Sequence, residues 1–195
     1  MTTPDYLDID AIRARVADYE PRARPDGHRS VWAATALVVA SGDRGPDVAF
    51  IQRPSRSGDR WSGQMALPGG KCDPGDGSAI CTARREAREE VGVVLPDPAG
   101  RLDDVRGRTH RGIVATYVFG LDERPALRPA PSEVEAAVWI PLTTLLSPAA
   151  AFRYPWGGIG RFPAIRHEQY VIWGLTHRIL SSFAQALGLE LPRPA

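Results

Sequence analysis

The feature that most constrains the fold is a capped and highly charged helix predicted over residues 78–91. Ser78 precedes it as a favourable N-cap residue, Asp76 is the alternative N-cap, and Gly92 follows its last turn. Four apolar residues recur at helical spacing: Ile80, Ala83, Ala87 and Val91. This spacing predicts that one stripe of the helix is buried in the core.

Three carboxylates crowd the last turns of this helix. Glu86, Glu89 and Glu90 share one face, because residues three and four positions apart are neighbours on a helix. Each like-charge pair costs about 0.2–0.5 kcal/mol, and an anion at a helix C-terminus costs about 0.3–1 kcal/mol. A divalent cation makes the arrangement favourable, because closely spaced oxygens are ligands that Mg²⁺ and Mn²⁺ prefer. A turn at Gly69 and Gly70 could add a backbone carbonyl. A solvated acidic face, softened by neighbouring arginines, is the alternative interpretation.

The stretch resembles the Nudix box, whose pattern is G-x5-E-x7-R-E-U-x-E-E-x-G-U, with U an aliphatic residue. The run REAREEVGV at residues 85–93 matches the second half of the pattern position by position. The first half departs from it in two ways. Asp76 stands where the family has Glu, and the gap from Gly70 to Arg85 is one residue longer than the pattern. We place the extra residue in the loop before the helix.

This resemblance implies an α/β fold, namely the Nudix α/β/α sandwich with a mixed β-sheet. It also implies metal-dependent hydrolysis of a nucleoside diphosphate linked to another moiety. The implied ligands of Mg²⁺ or Mn²⁺ are Glu86, Glu89, Glu90 and the carbonyl of Gly70. Arg85 is implied to pair with Asp76 and to orient the helix.

The general base of such a reaction is left open by the sequence. Glu89 is a candidate by its position on the helix. In some relatives a Glu outside the box has this role, and Glu133 or Glu135 is the local candidate. The alternative for Glu133 is an exposed loop residue without a catalytic role.

The flanking residues resemble the coenzyme A diphosphatase branch of the family. The run GQMALPGGKCDPGD is similar to that branch, as is VIWGLTHRIL near the C-terminus. Coenzyme A carries a 3′-phosphate besides its pyrophosphate, so its binding requires cationic side chains. The candidates are Arg53, Arg56, Arg60 and Lys71. These arginines could instead only solvate a long loop. Trp61 could stack on adenine or pack at the edge of the core.

The rest of the chain predicts one N-terminal helix and a set of strands. The helix is predicted over residues 8–19. The strands are predicted over residues 31–40, 48–53, 64–68, 112–121, 135–142 and 169–174, with the first two forming a hairpin, and a final amphipathic helix follows. Residues 147–161 are predicted as a loop that carries Tyr154 and Trp156 and that could line the pocket for the distal half of the substrate. We divide the chain into an N-terminal helix with a linker (1–29) and a Nudix hydrolase domain (30–190).

Composition excludes several other classes of protein. The formal net charge of +1 over 195 residues argues against a broad electrostatic hold on nucleic acid or on a membrane surface. No apolar run approaches the roughly 20 residues of a membrane span, and no signal-peptide pattern begins the chain. The two cysteines form no metal-binding motif, and the histidines lack ligand spacing. We therefore expect a cytoplasmic protein acting on a small nucleotide-type molecule, and the sequence leaves open whether it forms a homodimer.

Three functional hypotheses follow. The first is a pyrophosphohydrolase of coenzyme A or acyl-coenzyme A. The second is the same chemistry on ADP-ribose or another nucleotide. The third is a non-catalytic module of the same fold that senses a nucleotide, and the intact glutamate trio argues against it.

Overall fold

The structure is a computed structural model that describes residues 7–22, 31–55, 57–58, 61–106, 112–158 and 160–194. Its helices are α1 (Ile9–Ala17), α2 (Ala79–Val91), α3 (Leu142–Leu145) and α4 (Gly174–Ala186). Its strands are β1 (Val31–Gly42), β2 (Gly45–Gln52), β3 (Met65–Ala66), β4 (Gly69–Lys71), β5 (Gly100–Arg101), β6 (Val105–Arg106), β7 (Ile113–Leu121), β8 (Ala136–Pro141), β9 (Ala151–Trp156), β10 (Gly160–His167) and β11 (Tyr170–Trp173).

A mixed sheet forms the middle layer. Within the described residues it has eight strands, with the path β3-β2-β1-β7-β5, while β4 pairs with β1, β6 with β7 and β8 with β2. The long strands β1 and β7 run parallel, and the other pairs are antiparallel. The predicted hairpin of β1 and β2 is present.

Helices cover both faces of this sheet, as the fold prediction requires. Leu37 and Val39 of β1 belong to one core cluster, which includes residues of α1 and α4. Ala36 and Val38 point to the other face and join a second cluster with the buried stripe of α2. A strand alternates its side chains between the two faces, so an uninterrupted apolar run fits a strand buried on both. The α/β/α sandwich is therefore confirmed.

The prediction of a loop over residues 147–161 is wrong. A 3₁₀ turn at Pro148–Ala150 leads into β9, which forms a three-stranded antiparallel sheet in the order β11-β10-β9. Aromatic residues in β9 alternate with more exposed residues, so that Phe152, Tyr154 and Trp156 share one face. Pro155 is tolerated because β9 is an edge strand, where a missing N–H donor leaves no ladder bond broken.

The N-terminal helix packs on the domain rather than standing apart from it. Ile9, Ile12 and Val16 are buried in the cluster that also holds α4. The predicted boundary near residue 30 stays a prediction, since residues 23–30 lie outside the described part of the chain. Among the described residues, no helix combines the length and the apolar character needed to cross a membrane.

Candidate metal and catalytic site

Helix α2 places Glu86 and Glu90 against strand β4. Its N-cap is Ser78, whose Oγ accepts a hydrogen bond from the N–H of Cys81 at 3.2 Å, and the alternative N-cap, Asp76, lies in the preceding 3₁₀ turn. Gly92 ends the helix in the left-handed conformation, with φ of 71°. The caps fix which residues are helical and therefore which side chains face the sheet.

Residues of one helix stripe enter the core, but the stripe differs from the prediction at one end. Ala83, Ala87 and Val91 are fully buried. Ile80 is only partly buried, since it lies in the first turn, where less of the sheet covers the helix. Glu90 is buried beside the stripe, with 8% of its surface exposed. A carboxylate so far from water requires compensation by hydrogen bonds or by a cation.

The glycine pair lies in strand β4 rather than in a turn. Gly69 and Gly70 pair with Thr35 and Ala34 of β1, and neither residue has a positive φ. Instead, the missing side chains let neighbouring atoms approach the backbone of Gly69 and Gly70 closely. A Cβ on Gly69 would lie 2.5 Å from the carbonyl oxygen of Ala34, so only glycine fits there.

Two of the three box carboxylates lie against this glycine strand. The N–H of Gly69 donates to Oε2 of Glu90 at 2.8 Å, a contact that no local sequence pattern predicts. A Cβ on Gly70 would lie 2.3 Å from Oε1 of Glu86. The carboxyl group of Glu86 therefore packs directly on the backbone of Gly70, and we call the backbone of Gly69 and Gly70 the glycine cradle.

Arg85 holds the acidic residues around it in place. Its Nε and Nη2 donate to the two carboxylate oxygens of Asp76 at 2.7 and 2.9 Å, which is the pairing that the sequence predicted. Its Nη1 donates to Glu86 and to Glu89, both at 2.9 Å. The guanidinium lowers the pKa of the Asp76 carboxyl, and that carboxylate in turn raises the pKa of Arg85.

Burial disfavours negative charge on the two inner glutamates. Desolvation raises the pKa of Glu90 to about 8, against an opposing hydrogen bond from the Gly69 N–H. Desolvation also raises the pKa of Glu86, against the attraction of Arg85. The proximity of further carboxylates adds to both shifts, so the site has more buried negative charge than its arginines offset.

The donor set fits a divalent cation, although its side chains are held apart. Within the described ranges, no three His, Cys, Asp or Glu side chains converge into a ready-made metal site. Arg85 donates hydrogen bonds to Glu86 and Glu89, and the Gly69 N–H donates to Glu90. The hard oxygen donors and the glycine cradle suit a Mg²⁺ or Mn²⁺ site, and the burial of Glu90, which the Gly69 N–H offsets only in part, favours a nearby cation.

The structure separates the two candidate bases outside the box. Glu133 is exposed, yet its charge raises the pKa of both Glu86 and Glu90, which places its carboxylate close to the box. Glu135 instead accepts hydrogen bonds from the N–H and Oγ of Ser55, at 3.2 and 3.4 Å. Of the two, Glu133 is the residue that the fold brings to the carboxylates.

Of the predicted substrate-binding residues, the structure describes Arg53, Trp61 and Lys71, and each has different neighbours. Arg53 acts electrostatically on Glu90 and so lies near the box. Lys71 places its Nζ 5.3 Å from the ring centroid of Trp32, an aromatic residue that the sequence analysis did not single out. Arg56 and Arg60 lie outside the described residues.

Trp61 belongs to a group of aromatic residues on the second sheet. Its ring is nearly parallel to that of Trp156, with 6.4 Å between centroids and 11° between planes. Trp156 also contacts Trp173, with 5.1 Å between centroids. A pocket of about 210 Å³ opens beside these rings, between the residues around β3 and the three-stranded sheet. The alternating aromatic residues of β9 were the signal that could have revealed this sheet.

Comparison with known proteins agrees with this architecture. A model of the NUDIX domain matches residues 31–157. A human relative, "Mitochondrial coenzyme A diphosphatase NUDT8", is 34% identical over 185 residues, which cover 89% of this chain and 75% of the relative. A Schizosaccharomyces pombe protein, "Uncharacterized protein C14C4.10c", is 43% identical over 117 residues, which cover 55% of this chain and only 36% of that protein.

A solved structure supports the fold alone. A MutT/nudix family protein from Enterococcus faecalis superposes with a TM-score of 0.54 at 15% identity, covering 96% of this chain and 65% of that chain. The family match spans more than half of the chain, and the human relative aligns with most of it. The chain therefore belongs to the Nudix hydrolase family.

Proposed function

We propose that this protein is a pyrophosphohydrolase dependent on Mg²⁺ or Mn²⁺, and that it cleaves the phosphoanhydride of coenzyme A or of an acyl-coenzyme A. The observation that carries the proposal is the placement of two inner carboxylates, Glu86 and Glu90, against the bare backbone of β4. The name of the human relative supports the choice of substrate.

In this proposal the residues of the site bind metal, position one another or bind phosphate. Glu86, Glu89, Glu90 and the carbonyl of Gly70 would hold the cations, which would supply positive charge for the pyrophosphate and a bound water of lowered pKa. Arg85, fixed by Asp76, sets the position of Glu86 and Glu89. Arg53 and Lys71 supply positive charge to the phosphates.

Two carboxylates are proposed as alternatives for the general base. Glu89 has half of its side chain exposed, at 52%, and is held by Arg85. The charge of Glu133 raises the pKa of Glu86 and of Glu90, so its carboxylate lies close to the box. A base must reach the attacking water within hydrogen-bond distance, and both side chains are exposed. Separate Glu89→Gln and Glu133→Gln variants test the two candidates, since loss of the base removes the low-pH limb of the pH–rate profile, where the rate rises as the base loses its proton.

A substrate panel tests the function. The purified chain is incubated with Mg²⁺ or Mn²⁺ and with coenzyme A, acetyl-coenzyme A, ADP-ribose or a dinucleotide polyphosphate. We expect coenzyme A to yield 3′,5′-ADP and 4′-phosphopantetheine. Cleavage of ADP-ribose with coenzyme A untouched would overturn the substrate, and binding without any turnover would overturn the enzymatic proposal.

A matched pair of variants tests the metal assignment. Loss of an outer partner of a metal ligand commonly costs 10–100-fold, so loss of a direct ligand in Glu90→Gln is expected to cost at least about 100-fold in kcat. Glu123→Gln removes an exposed glutamate outside the site and is the control. Equal rates for the two variants would rule out Glu90 as a ligand. The cytoplasmic location and the oligomeric state stay predictions.

A further inference from the structure

The pocket beside the second sheet has a lining that suits an uncharged ligand. Among the described residues, none of its lining side chains is charged. Its polar lining comes mainly from neutral side chains: Gln52, Ser62, Gln64 and Gln169. Its walls include four aromatic rings: Tyr154, Trp156, Tyr170 and Trp173. A phosphate buried there would meet no cationic side chain among the described lining residues, and burying an unpaired charge is costly.

The pocket adjoins the carboxylate site along two segments of the chain. Gln52 lines the pocket, and the next residue, Arg53, acts electrostatically on Glu90. Met65 also lines the pocket, and four residues later the N–H of Gly69 binds Glu90. A substrate whose phosphates lie at the box can therefore extend its uncharged part into the pocket.

The walls are fixed before any ligand arrives. Trp156 packs between Trp61 and Trp173, and Phe162 contacts both Trp156 and Trp173 at 6.4 and 5.8 Å between centroids. Rings held on several sides lose little conformational entropy when a ligand binds, which favours affinity. The Oγ1 of Thr176 donates to the carbonyl of Met65 at 3.0 Å and ties α4 to the pocket floor.

We propose that this pocket binds the pantetheine arm of the substrate, a proposal that rests on the proposed function. The arm is uncharged and contains two amides and a hydroxyl. Glutamine side chains offer both donors and acceptors to such groups, and the rings pack against its methyl-bearing segment. The adenosine half fits the lining less well, because its ribose carries the 3′-phosphate of coenzyme A.

Ligand binding tests the pocket without relying on turnover. Pantetheine and 5′-AMP are titrated separately against the whole chain, and tryptophan fluorescence is recorded. We expect pantetheine to change the emission, and we expect Gln169→Leu to weaken its binding about 10-fold, the loss of roughly one well-formed hydrogen bond. Gln169 is exposed, so this substitution does not threaten the fold.

A second variant has a matched control. Trp156→Leu removes a lining ring, whereas Trp139→Leu removes a tryptophan ring of β8 that is not part of the lining. We expect the first to raise the KM for coenzyme A about 10-fold with kcat within about 2-fold, and the second to leave both within about 2-fold. Equal effects of the two variants on KM would show that the lining ring does not contact the substrate, and would overturn the proposal.

The outcomes also separate this proposal from the proposed function. Pantetheine binding that Gln169→Leu weakens supports the pocket even if coenzyme A is not cleaved. Cleavage of coenzyme A with the same KM in the wild type and in Gln169→Leu overturns the pocket and leaves the proposed function standing. Weakened binding of 5′-AMP rather than pantetheine assigns the pocket to the nucleobase and likewise overturns the proposal.

Discussion

Replacing Asp76 by Asn tests the physical basis of the site most directly. The carboxylate of Asp76 is 8% exposed and accepts four hydrogen bonds. Two come from Arg85, one from the N–H of Asp73 at 2.9 Å and one from Oγ1 of Thr82 at 2.8 Å. Asparagine has one acceptor oxygen, so its NH₂ group must face at least one N–H donor in either orientation.

The magnitude follows from the bonds that are lost. A hydrogen bond to a charged group contributes about 1.5–3 kcal/mol. Arg85 has 32% of its side chain exposed, and solvent screening places the effect in the lower part of that range. We therefore expect Asp76→Asn to lower the free energy of unfolding by about 2 kcal/mol. For a chain of this length the melting temperature should fall by about 4–8 °C.

The effect should depend on pH in a definite direction. Arg85 lowers the pKa of the folded Asp76 below its ordinary value of 3.8. The stabilisation by the carboxylate is therefore complete above pH 3.8 and is lost as the pH falls toward the folded pKa. In that window the advantage of the wild type over Asp76→Asn should shrink by about 1.4 kcal/mol per pH unit.

Urea unfolding at pH 7 and at pH 3 measures both effects. Asp97→Asn is the matched control, because Asp97 also pairs with an arginine, Arg84, at 2.7 Å, but its side chain is 97% exposed. We expect that control to leave the melting temperature within about 1 °C. If Asp76→Asn and Asp97→Asn unfolded alike, or if the gap widened toward acid, the assignment of Arg85 and Asp76 as the anchor of the box helix would be refuted.

Three further predictions follow from single contacts. Gly70→Ala would place a Cβ 2.3 Å from Oε1 of Glu86. We expect kcat to fall by about 100-fold while the circular dichroism spectrum stays unchanged. Full activity of this variant would contradict the role of Gly70 in positioning Glu86. Thr176→Val leaves the carbonyl of Met65 without its buried donor and should cost about 1–2 kcal/mol in urea unfolding, so an unchanged urea midpoint would contradict the bond. Burial lowers the pKa of His177 below 6.5, so the unfolded chain binds more protons and the stability of the wild type should fall as the pH drops below 6.5. The His177→Leu variant should lack that part of the loss of stability between pH 7.5 and 5.5. An identical pH dependence of stability in both proteins would contradict a buried, neutral His177.

Much of the box could be predicted because its information is local. The N-cap, the left-handed glycine and the spacing of Glu86, Glu89 and Glu90 all act within one helix and its two ends. The apolar runs of β1 and β7 likewise predicted buried strands, since a strand covered on both faces needs no polar positions. The predicted loop over 147–161 was wrong because proline and glycine outweighed the alternation of aromatic residues, and an edge strand tolerates that proline.

The sequence by itself determined the chemistry: three carboxylates on one helix face, an arginine among them and a glycine pair ahead of them. Only the tertiary structure decided how far each carboxylate is exposed to water. Glu90 is 8% exposed and bonded to Gly69, whereas the side chain of Glu89 is 52% exposed. Helical spacing fixes which residues are neighbours, but the layer that packs on each face decides which of them lose water. Packing also brings Glu133 rather than Glu135 toward the box. It likewise forms the pocket between the two sheets, whose described lining residues are all uncharged and whose contact no local pattern encodes.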